Sequence, residues 1–248
     1  MMMKITILGF FGGYPYDGKA TSSYLLQSDG YNLLLDCGSG ALLNLEKELD
    51  PLQLNAVLLS HYHQDHIADI GVLQYYWQLN NEQIGGKILP IYGHTQDKEH
   101  FASLTWAKAT VGRGYDPSAT LILGPFEIDF LPTKHPVTAY AVRIKDTNNG
   151  KTLVFTADTD YIPEMAAFAR GADVLMTDTN YSDGKKEPKW HMTSTESGKI
   201  AKEAGVKKLI LTHLPQKVDF SLLLDKAQMA ASKQVKVELA EIGKIVQC

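Results

Sequence analysis

Alternating apolar and polar positions open the chain and predict three short β-strands within the first 40 residues. Asp29-Gly30 is typical of a tight hairpin turn and separates the second strand from the third. Glycine and proline between Gly12 and Gly18 indicate a loop after the first strand, which we expect at the surface. The predicted strands are Lys4–Leu8, Ser22–Gln27 and Asn32–Leu35.

Apolar residues then recur at helical spacing, with buried-looking strands between the helices. In the longest helical pattern the apolar residues stand at positions 67, 70, 73 and 77. The expected elements are a helix ending at Leu49, a strand over 56–59, a helix over Ile67–Leu79, a strand over Lys87–Tyr92 and a partly helical stretch over 95–117 with a Gly-Arg-Gly loop at 112–114.

The rest of the chain is first rich in strand patterns and then alternates strands with helices. Asn148-Asn149-Gly150 predicts a hairpin turn in the strand-rich part. This order indicates two sheets with helices outside them. The expected strands are Ala119–Leu123, Phe126–Pro132, Tyr140–Lys145, Lys151–Ala157, Val174–Thr177, Lys208–Leu211 and Val235–Ala240, and the expected helices are Pro163–Arg170, Ser194–Ala204 and Ser221–Ala231.

Composition narrows the class of protein. The 248 residues are 44% hydrophobic and 21% charged, as in globular proteins with a substantial core, and we expect a single domain over residues 1–248. The net charge of −4 disfavours a broad nucleic-acid-binding surface. No apolar stretch is long enough to span a membrane, and the N-terminus lacks a signal-peptide pattern. Cys37 and Cys248 lie in unrelated contexts, so they indicate no disulfide framework. We therefore expect a cytoplasmic protein.

The segment His61-Tyr62-His63-Gln64-Asp65-His66 directly follows the apolar run 56–59 and concentrates metal-ligand chemistry. In an extended chain His61 and His63 point to the same side, so they can bind one ion together. Asp65 and His66 come at the start of a predicted helix and turn toward a neighbouring position. One short loop therefore offers ligands to two adjacent ions.

Three further candidate ligands follow apolar strands. His135 comes after Phe126–Pro132, Asp158 after the run 153–155, and His213 after the run 209–212. The ends of strands are where sheets with helices outside them usually build their sites. His94 and His100 stand outside this pattern and are expected to be ordinary polar residues.

The chain resembles the metallo-β-lactamase superfamily, and the likeness spans most of its length. The resemblance implies an αββα sandwich, in which two mixed β-sheets are flanked by helices. Aspartate at position 158, where antibiotic-hydrolysing members have cysteine, is more like the phosphodiesterase and thioester-hydrolase branches. The motifs that carry the resemblance are Leu35-Asp36-Cys37-Gly38, Ser60-His61-Tyr62-His63-Gln64-Asp65-His66, His135, Thr156-Ala157-Asp158-Thr159 and Thr212-His213.

The same resemblance implies two divalent metal ions and assigns their ligands. Asp158 would bridge the ions, and Asp36 would hydrogen-bond beneath the metal-binding loop. A ligand set of imidazole and carboxylate suits zinc best and also accommodates manganese or iron. One ion would be held by His61, His63 and His135, and the other by Asp65, His66 and His213.

The C-terminal part is similar to ribonuclease Z-like proteins, through His191-Met192-Thr193, Glu196 and the segment from Ala204 to His213. Between the positions that match His135 and Asp158, those enzymes carry a long arm that binds tRNA. Here the interval is short enough to hold only two strands and a turn, so we expect no extended tRNA binding. The likeness is to small armless bacterial hydrolases of this type, some of whose relatives form homodimers.

Asp69 stands where the family usually has glycine, and we expect it to affect local helix packing.

The resemblance implies phosphodiester hydrolysis. Two ions about 3.5–4 Å apart would share a hydroxide that attacks phosphorus, and Asp65 would orient it. His191 would act on the leaving alkoxide, either as a general acid or as an electrostatic stabiliser. Lys185, Lys186 and Lys189 precede His191 and form either a solvated loop or a phosphate-attracting rim. The expected substrate is a small phosphodiester, a nucleotide or an RNA end.

Three other functions use a similar scaffold. A thioester or lactone hydrolase would use the same two ions on an acyl substrate, although His191-Met192-Thr193 and the lack of a thiol-cofactor signature disfavour it. A diiron redox centre of the flavodiiron type normally comes with a flavin domain, for which no residues remain. A binding protein on a degenerate fold is disfavoured because all seven ligand positions are filled.

Overall fold

The computed structural model describes residues 3–247 and contains two seven-stranded sheets. The first sheet has the strand order β14-β1-β2-β3-β4-β5-β6, and the second has the order β13-β12-β11-β10-β9-β8-β7. The strands are β1 Lys4–Gly9, β2 Ser23–Ser28, β3 Tyr31–Cys37, β4 Ala56–Leu58, β5 Leu89–Gly93, β6 Thr110–Gly114, β7 Leu121–Leu123, β8 Phe126–Pro132, β9 Tyr140–Asp146, β10 Thr152–Phe155, β11 Val174–Asp178, β12 Lys208–Thr212, β13 Lys236–Leu239 and β14 Ile245–Gln247.

Each sheet is mixed, with an antiparallel half and a parallel half. Seven α-helices and two 3₁₀ helices connect the strands, and no helix within residues 3–247 is long and apolar enough to cross a membrane. The α-helices are α1 Ala41–Glu48, α2 Gln64–Ile67, α3 Ile70–Asn80, α4 Lys98–Ser103, α5 Glu164–Phe168, α6 Ser194–Ala204 and α7 Phe220–Ala230, and the 3₁₀ helices are Pro51–Gln53 and Asn81–Ile84.

Two apolar cores explain why the strands are hydrophobic on both faces. Along β3, Leu33 and Leu35 face the core between the sheets, while Leu34 faces the core shared with α1 and α3. On the outer face of the second sheet, α6 packs against β11 and β12. This four-layer order confirms the predicted αββα sandwich of two mixed sheets flanked by helices.

Most predicted elements are present with boundaries shifted by a few residues, and two expectations were wrong. The helix expected over Ile67–Leu79 is broken between α2 and α3, because Asp69 is tied to neighbouring elements: its N–H donates to Cys37 O and its carboxylate accepts from Leu42 N. The Gly-Arg-Gly loop expected at 112–114 lies inside β6, and a Cβ at Gly114 would come within 2.6 Å of Thr95. Strand β14 was not expected.

The Gly12–Gly18 loop lies at the surface as expected, except at its first residue. Gly13 and the residues up to Gly18 are exposed, but Gly12 is buried. A Cβ on Gly12 would lie 2.5 Å from the ring of His213, so only glycine allows this close approach. The loop therefore begins inside the molecule, against a predicted site residue.

We expect Gly198→Ala to lower the free energy of unfolding by about 1–3 kcal/mol, because a Cβ on Gly198 of α6 would lie 2.3 Å from the Ala227 carbonyl of α7. The control is Gly71→Ala in α3, where a Cβ meets nothing within 4 Å, so stability should be unchanged or raised by up to about 1 kcal/mol. Urea unfolding measures both. Equal effects would contradict a close α6–α7 contact at Gly198.

Candidate metal centre

The predicted site residues converge at the ends of strands from both sheets. His61, His63, Asp65 and His66 lie after β4 and in α2, and His135 follows β8. Asp158 follows β10, and His213 follows β12. Positive φ angles at Asp36, Ala157 and His213, of 55°, 50° and 49°, turn the chain sharply where these strands end. Such left-handed backbone is unfavourable for residues with a Cβ and often occurs at functional sites.

Asp158 lies at the centre of the site. Its Oδ2 is 3.6 Å from His61 Nε2 and 3.7 Å from His135 Nε2. Its Oδ1 is 3.2 Å from His66 Nε2 and 3.3 Å from His213 Nε2. The two carboxylate oxygens of one buried side chain therefore face two different sets of imidazoles.

Three groups of candidate ligand atoms share Asp158, and within each group all ligand atoms lie within 4.8 Å of one another. Ligand atoms of a tetrahedral zinc site with bonds of about 2.0–2.1 Å are roughly 3.3 Å apart, which is close to the separations around Asp158. All seven predicted ligands belong to these groups, and His94 and His100 do not. The groups that hold the predicted ligands are His61, His63, His135 and Asp158, and Asp65, His66, Asp158 and His213, and the third group is Asp158, Asp178, His191 and His213.

Unsatisfied polar atoms indicate that this cluster is built to hold cations. Among the residues described, His61 Nε2, His66 Nε2 and Asp158 Oδ1 are buried and accept or donate no hydrogen bond. Buried polar atoms are nearly always paired, and these three lie against one another at the centre of the site. The donor set of imidazoles and carboxylates suits divalent transition metals.

Nδ1 is held by a hydrogen-bond partner in His66, His135 and His213, whereas His63 Nδ1 lies 2.9 Å from His135 Nε2 inside the cluster. His66 Nδ1 is 2.7 Å from Asp36, His135 Nδ1 is 3.2 Å from the Trp190 carbonyl, and His213 Nδ1 is 3.2 Å from Asp178. Such partners orient metal-binding imidazoles and fix their tautomers, leaving Nε2 directed at the ion.

Asp36 is the most heavily used of these partners. Its carboxylate accepts hydrogen bonds from the backbone N–H and the hydroxyl of Ser60, both at 2.8 Å, in addition to His66. The Ser60 hydroxyl in turn lies 3.0 Å from His61 Nδ1. The side chain of Asp36 is fully buried, so it joins β3 to the metal-binding loop from below.

The imidazoles of the cluster differ in the direction of their pKa shifts. Burial lowers the pKa of His61, His63 and His135. Although burial opposes it, Asp158 and Asp178 raise the pKa of His213 to about 10. Metal ions bind deprotonated imidazole, so divalent cations would take the place of such protons next to Asp158.

Sequence reasoning missed Asp178, the last residue of β11. Its Oδ2 lies 2.8 Å from His191 Nδ1, and its Oδ1 lies 3.2 Å from His213 Nδ1. A signal was available, because Asp178 directly follows the predicted strand Val174–Thr177, just as Asp158 comes after the apolar run 153–155. The start of the Gly12–Gly18 loop was also missed: Gly13 N–H donates to Asp65 at 2.6 Å.

His191 lies beside the cluster, with ring centroids 5.1 Å from His213 and 5.4 Å from His135. The segment before it is anchored by Lys189, whose ammonium is buried and contacts Asp160 and Glu196. Lys189 is therefore neither part of a solvated loop nor a phosphate-attracting rim. Its ion pairs join the loop after Asp158 to the segment that carries His191 and to the start of α6.

The comparisons with known proteins identify the class. Residues 31–214 match the family described as "Beta-lactamase superfamily domain". The chain belongs to the metallo-β-lactamase superfamily and, with its histidine and aspartate clusters, is a metal-dependent hydrolase.

Individual relatives refine this class. The chain is 48% identical over 215 residues to the probable metallo-hydrolase YhfI of Bacillus subtilis (strain 168), covering 86% of this chain and 87% of YhfI. The crystal structure of YhfI matches with a TM-score of 0.93 at 44% identity, covering 99% of both chains. Ribonuclease Z of Methanopyrus kandleri is 25% identical over 261 residues, covering 91% of this chain and 92% of that enzyme.

The fold is also that of human tRNase Z, short form, which matches with a TM-score of 0.77 at 19% identity and covers 98% of both chains. Taken with the sequence relatives, this likeness places the chain among the ribonuclease Z-like members of the superfamily, as its sequence motifs predicted.

Lys189→Met should lower the free energy of unfolding by about 3 kcal/mol, because it leaves the carboxylates of Asp160 and Glu196 without their shared buried cation. Lys145→Met is the matched control: it breaks the exposed Lys145–Glu127 pair and should change stability by less than about 1 kcal/mol. Both values come from urea unfolding. If Lys189→Met were as mild as Lys145→Met, Lys189 would not anchor this segment.

Proposed function

We propose that the protein is a binuclear metal-dependent phosphodiesterase that acts on a small phosphodiester or nucleotide. The observation that carries the proposal is the pair of clusters joined by Asp158, with His191 beside them. Likeness to ribonuclease Z-like proteins supports phosphoryl rather than acyl chemistry. When bound, divalent ions lower the pKa of coordinated water to about 7 and stabilise charge on phosphate oxygens.

The proposed ligands are the seven side chains predicted from the sequence. His61, His63 and His135 would hold one ion, Asp65, His66 and His213 the other, and Asp158 both. This ligand set contains five imidazoles, two carboxylates and no thiolate. Zinc suits such a set best, and manganese and iron are also compatible with it. Asp36 would support the set through His66 and Ser60.

Two side chains are proposed to act on the reacting groups. Asp65 Oδ2 accepts a hydrogen bond from Gly13 N–H, and the side chain lines the cavity over the cluster, where it would orient the attacking water. His191 is bound through Nδ1 to Asp178, so Nε2 is the atom left to face the substrate. Although burial opposes it, Asp178 raises the pKa of His191, which favours the protonated form that a general acid needs.

The size of the cleft supports a small substrate. The cavity over the cluster has a volume of about 370 Å³ and is lined by Asp65, Asp158, His191 and His213 among others. Between His135 and Asp158 the chain forms only β9 and β10 with their connections. No segment there extends over the cleft to hold a folded RNA.

Metal content tests the binuclear centre. After equilibrium dialysis against zinc, elemental analysis should give two zinc ions per chain for the wild type. His213→Ala and His135→Ala each remove one candidate ligand from a different cluster, and each should bring the ratio to about one, since a site that loses a ligand binds less tightly. A wild-type ratio of one would contradict the binuclear proposal.

Activity tests the reaction. We expect the metal-loaded protein to hydrolyse bis(p-nitrophenyl) phosphate but neither a thioester nor a lactone. Asp158→Ala should abolish turnover, and His191→Ala should lower kcat by about 10²-fold or more, as loss of a general acid does. Acyl turnover that is indifferent to His191 would instead support a thioester or lactone hydrolase.

The same His191→Ala variant distinguishes the two roles of this residue. A general acid matters most when the leaving alkoxide is strongly basic, so the loss should be larger for a diester with an alkyl leaving group than for bis(p-nitrophenyl) phosphate. Equal losses on the two diesters would indicate an electrostatic stabiliser.

A further inference from the structure

A second, larger cavity lies next to the metal centre. Its volume is about 660 Å³, compared with about 370 Å³ for the cavity over the cluster. His63 and Pro136 line both cavities, so they form the wall where the two meet. The larger cavity is not lined by His191 or Trp190, which belong to the smaller one. A group held at the metal centre would have this space directly beyond His63.

Flat and apolar groups form part of its lining. The Tyr62 ring stacks on His100 with centroids 5.6 Å apart and planes at 11°, and its hydroxyl is fixed by a 2.6 Å hydrogen bond to the His94 carbonyl. Across from the metal-binding loop the lining includes Pro136 and Val137, and Val137 is 41% exposed. Rigid aromatic and apolar surfaces of this kind suit a planar ring.

Polar groups also line this cavity. The Gln96 side chain and the Thr138 backbone belong to its lining and lie beside the buried imidazole of His94, which is 1% exposed. Gln96 is exposed, and its amide can both donate and accept hydrogen bonds. This wall therefore favours a ligand that both donates and accepts hydrogen bonds.

The rim of the cavity carries more negative than positive charge. It contains the carboxylates of Asp97 and Glu99 and the ammonium of Lys98. Asp97 is held by His100, whose Nδ1 lies 2.7 Å from its carboxylate. A ligand with a second phosphate would meet these carboxylates, whereas a neutral group would not.

We propose that this cavity binds the part of a phosphodiester that stays on phosphorus, and that it selects a neutral ring-bearing group with a hydrogen-bonding edge, such as a nucleoside without a second phosphate. The proposal rests on the proposed phosphodiesterase function. Because His191 lies in the other cavity, the alcohol that leaves is released beside His191 while the retained group occupies the space beyond His63.

The experiment compares two diesters with the same leaving group. Thymidine 5′-(p-nitrophenyl phosphate) and methyl p-nitrophenyl phosphate both release p-nitrophenol, so only the retained group differs. For the metal-loaded wild type we expect about tenfold higher kcat/KM on the thymidine diester, the size of one ring-stacking contact. A thymidine diester with an added 3′-phosphate should lose this gain, and Glu99→Gln should restore part of it.

Val137→Trp tests the location by filling the cavity from an exposed position. It should lower kcat/KM on the thymidine diester about tenfold more than on the methyl diester. Ile122→Trp on β7, where Ile122 is 60% exposed and lines neither cavity, should leave the ratio of the two substrates unchanged. Val137→Ala, which opens the cavity, should retain the preference for thymidine.

The outcomes separate the two proposals. If the wild type hydrolyses neither diester, the phosphodiesterase function fails, and the assignment of this cavity fails with it. If it hydrolyses both with equal kcat/KM, or if Val137→Trp lowers both equally, the enzyme is a phosphodiesterase but the cavity does not bind the retained group.

Discussion

The site depends on one buried carboxylate, that of Asp158. Its two oxygens face imidazoles from different parts of the chain, so the side chain joins two candidate metal positions instead of serving one. An ionised carboxylate in such a place is strongly unfavourable unless positive charge surrounds it. Burial opposes ionisation here, yet the facing histidines hold the pKa of Asp158 well below its usual range. The buried carboxylates of the cluster are therefore stable only together with metal cations or with protons on the surrounding imidazoles.

Further carboxylates surround this centre, and each links elements that are distant in sequence. Asp36 joins β3 to the loop after β4, and Asp178 joins β11 to both His191 and His213. Asp160 and Glu196 hold Lys189, two residues before His191. Because every one of these contacts is charged or strongly polar and mostly buried, the geometry of the cleft is fixed by hydrogen-bond direction as much as by packing.

The same scaffold divides the cleft into two chemically different parts. The smaller cavity contains the cluster and His191, where charge develops during hydrolysis. The larger one offers the stacked rings of Tyr62 and His100 and the polar groups of Gln96 and Thr138, beside a rim with two carboxylates. A separation of this kind lets reactivity and selectivity be set by different residues, since apart from His63 the residues that line the larger cavity lie outside the groups that contain Asp158.

The sequence by itself determined the elements, the superfamily and the residues of the cluster. Period-two and helical patterns predicted most of the strands and helices, because a strand or helix that buries one face has apolar residues at the period of that element. The metal-binding loop and the strand-end residues His135, Asp158 and His213 were recognisable because their chemistry is unusual at the end of an apolar run. Only the tertiary structure decided which residues support them. The roles of Asp178, Gly12 and Lys189 come from contacts with segments far away in sequence. A local sequence pattern does not show which distant residues will be in contact, so these roles could not be predicted from it. The same holds for the cavity beside His63, whose lining comes from three separate segments.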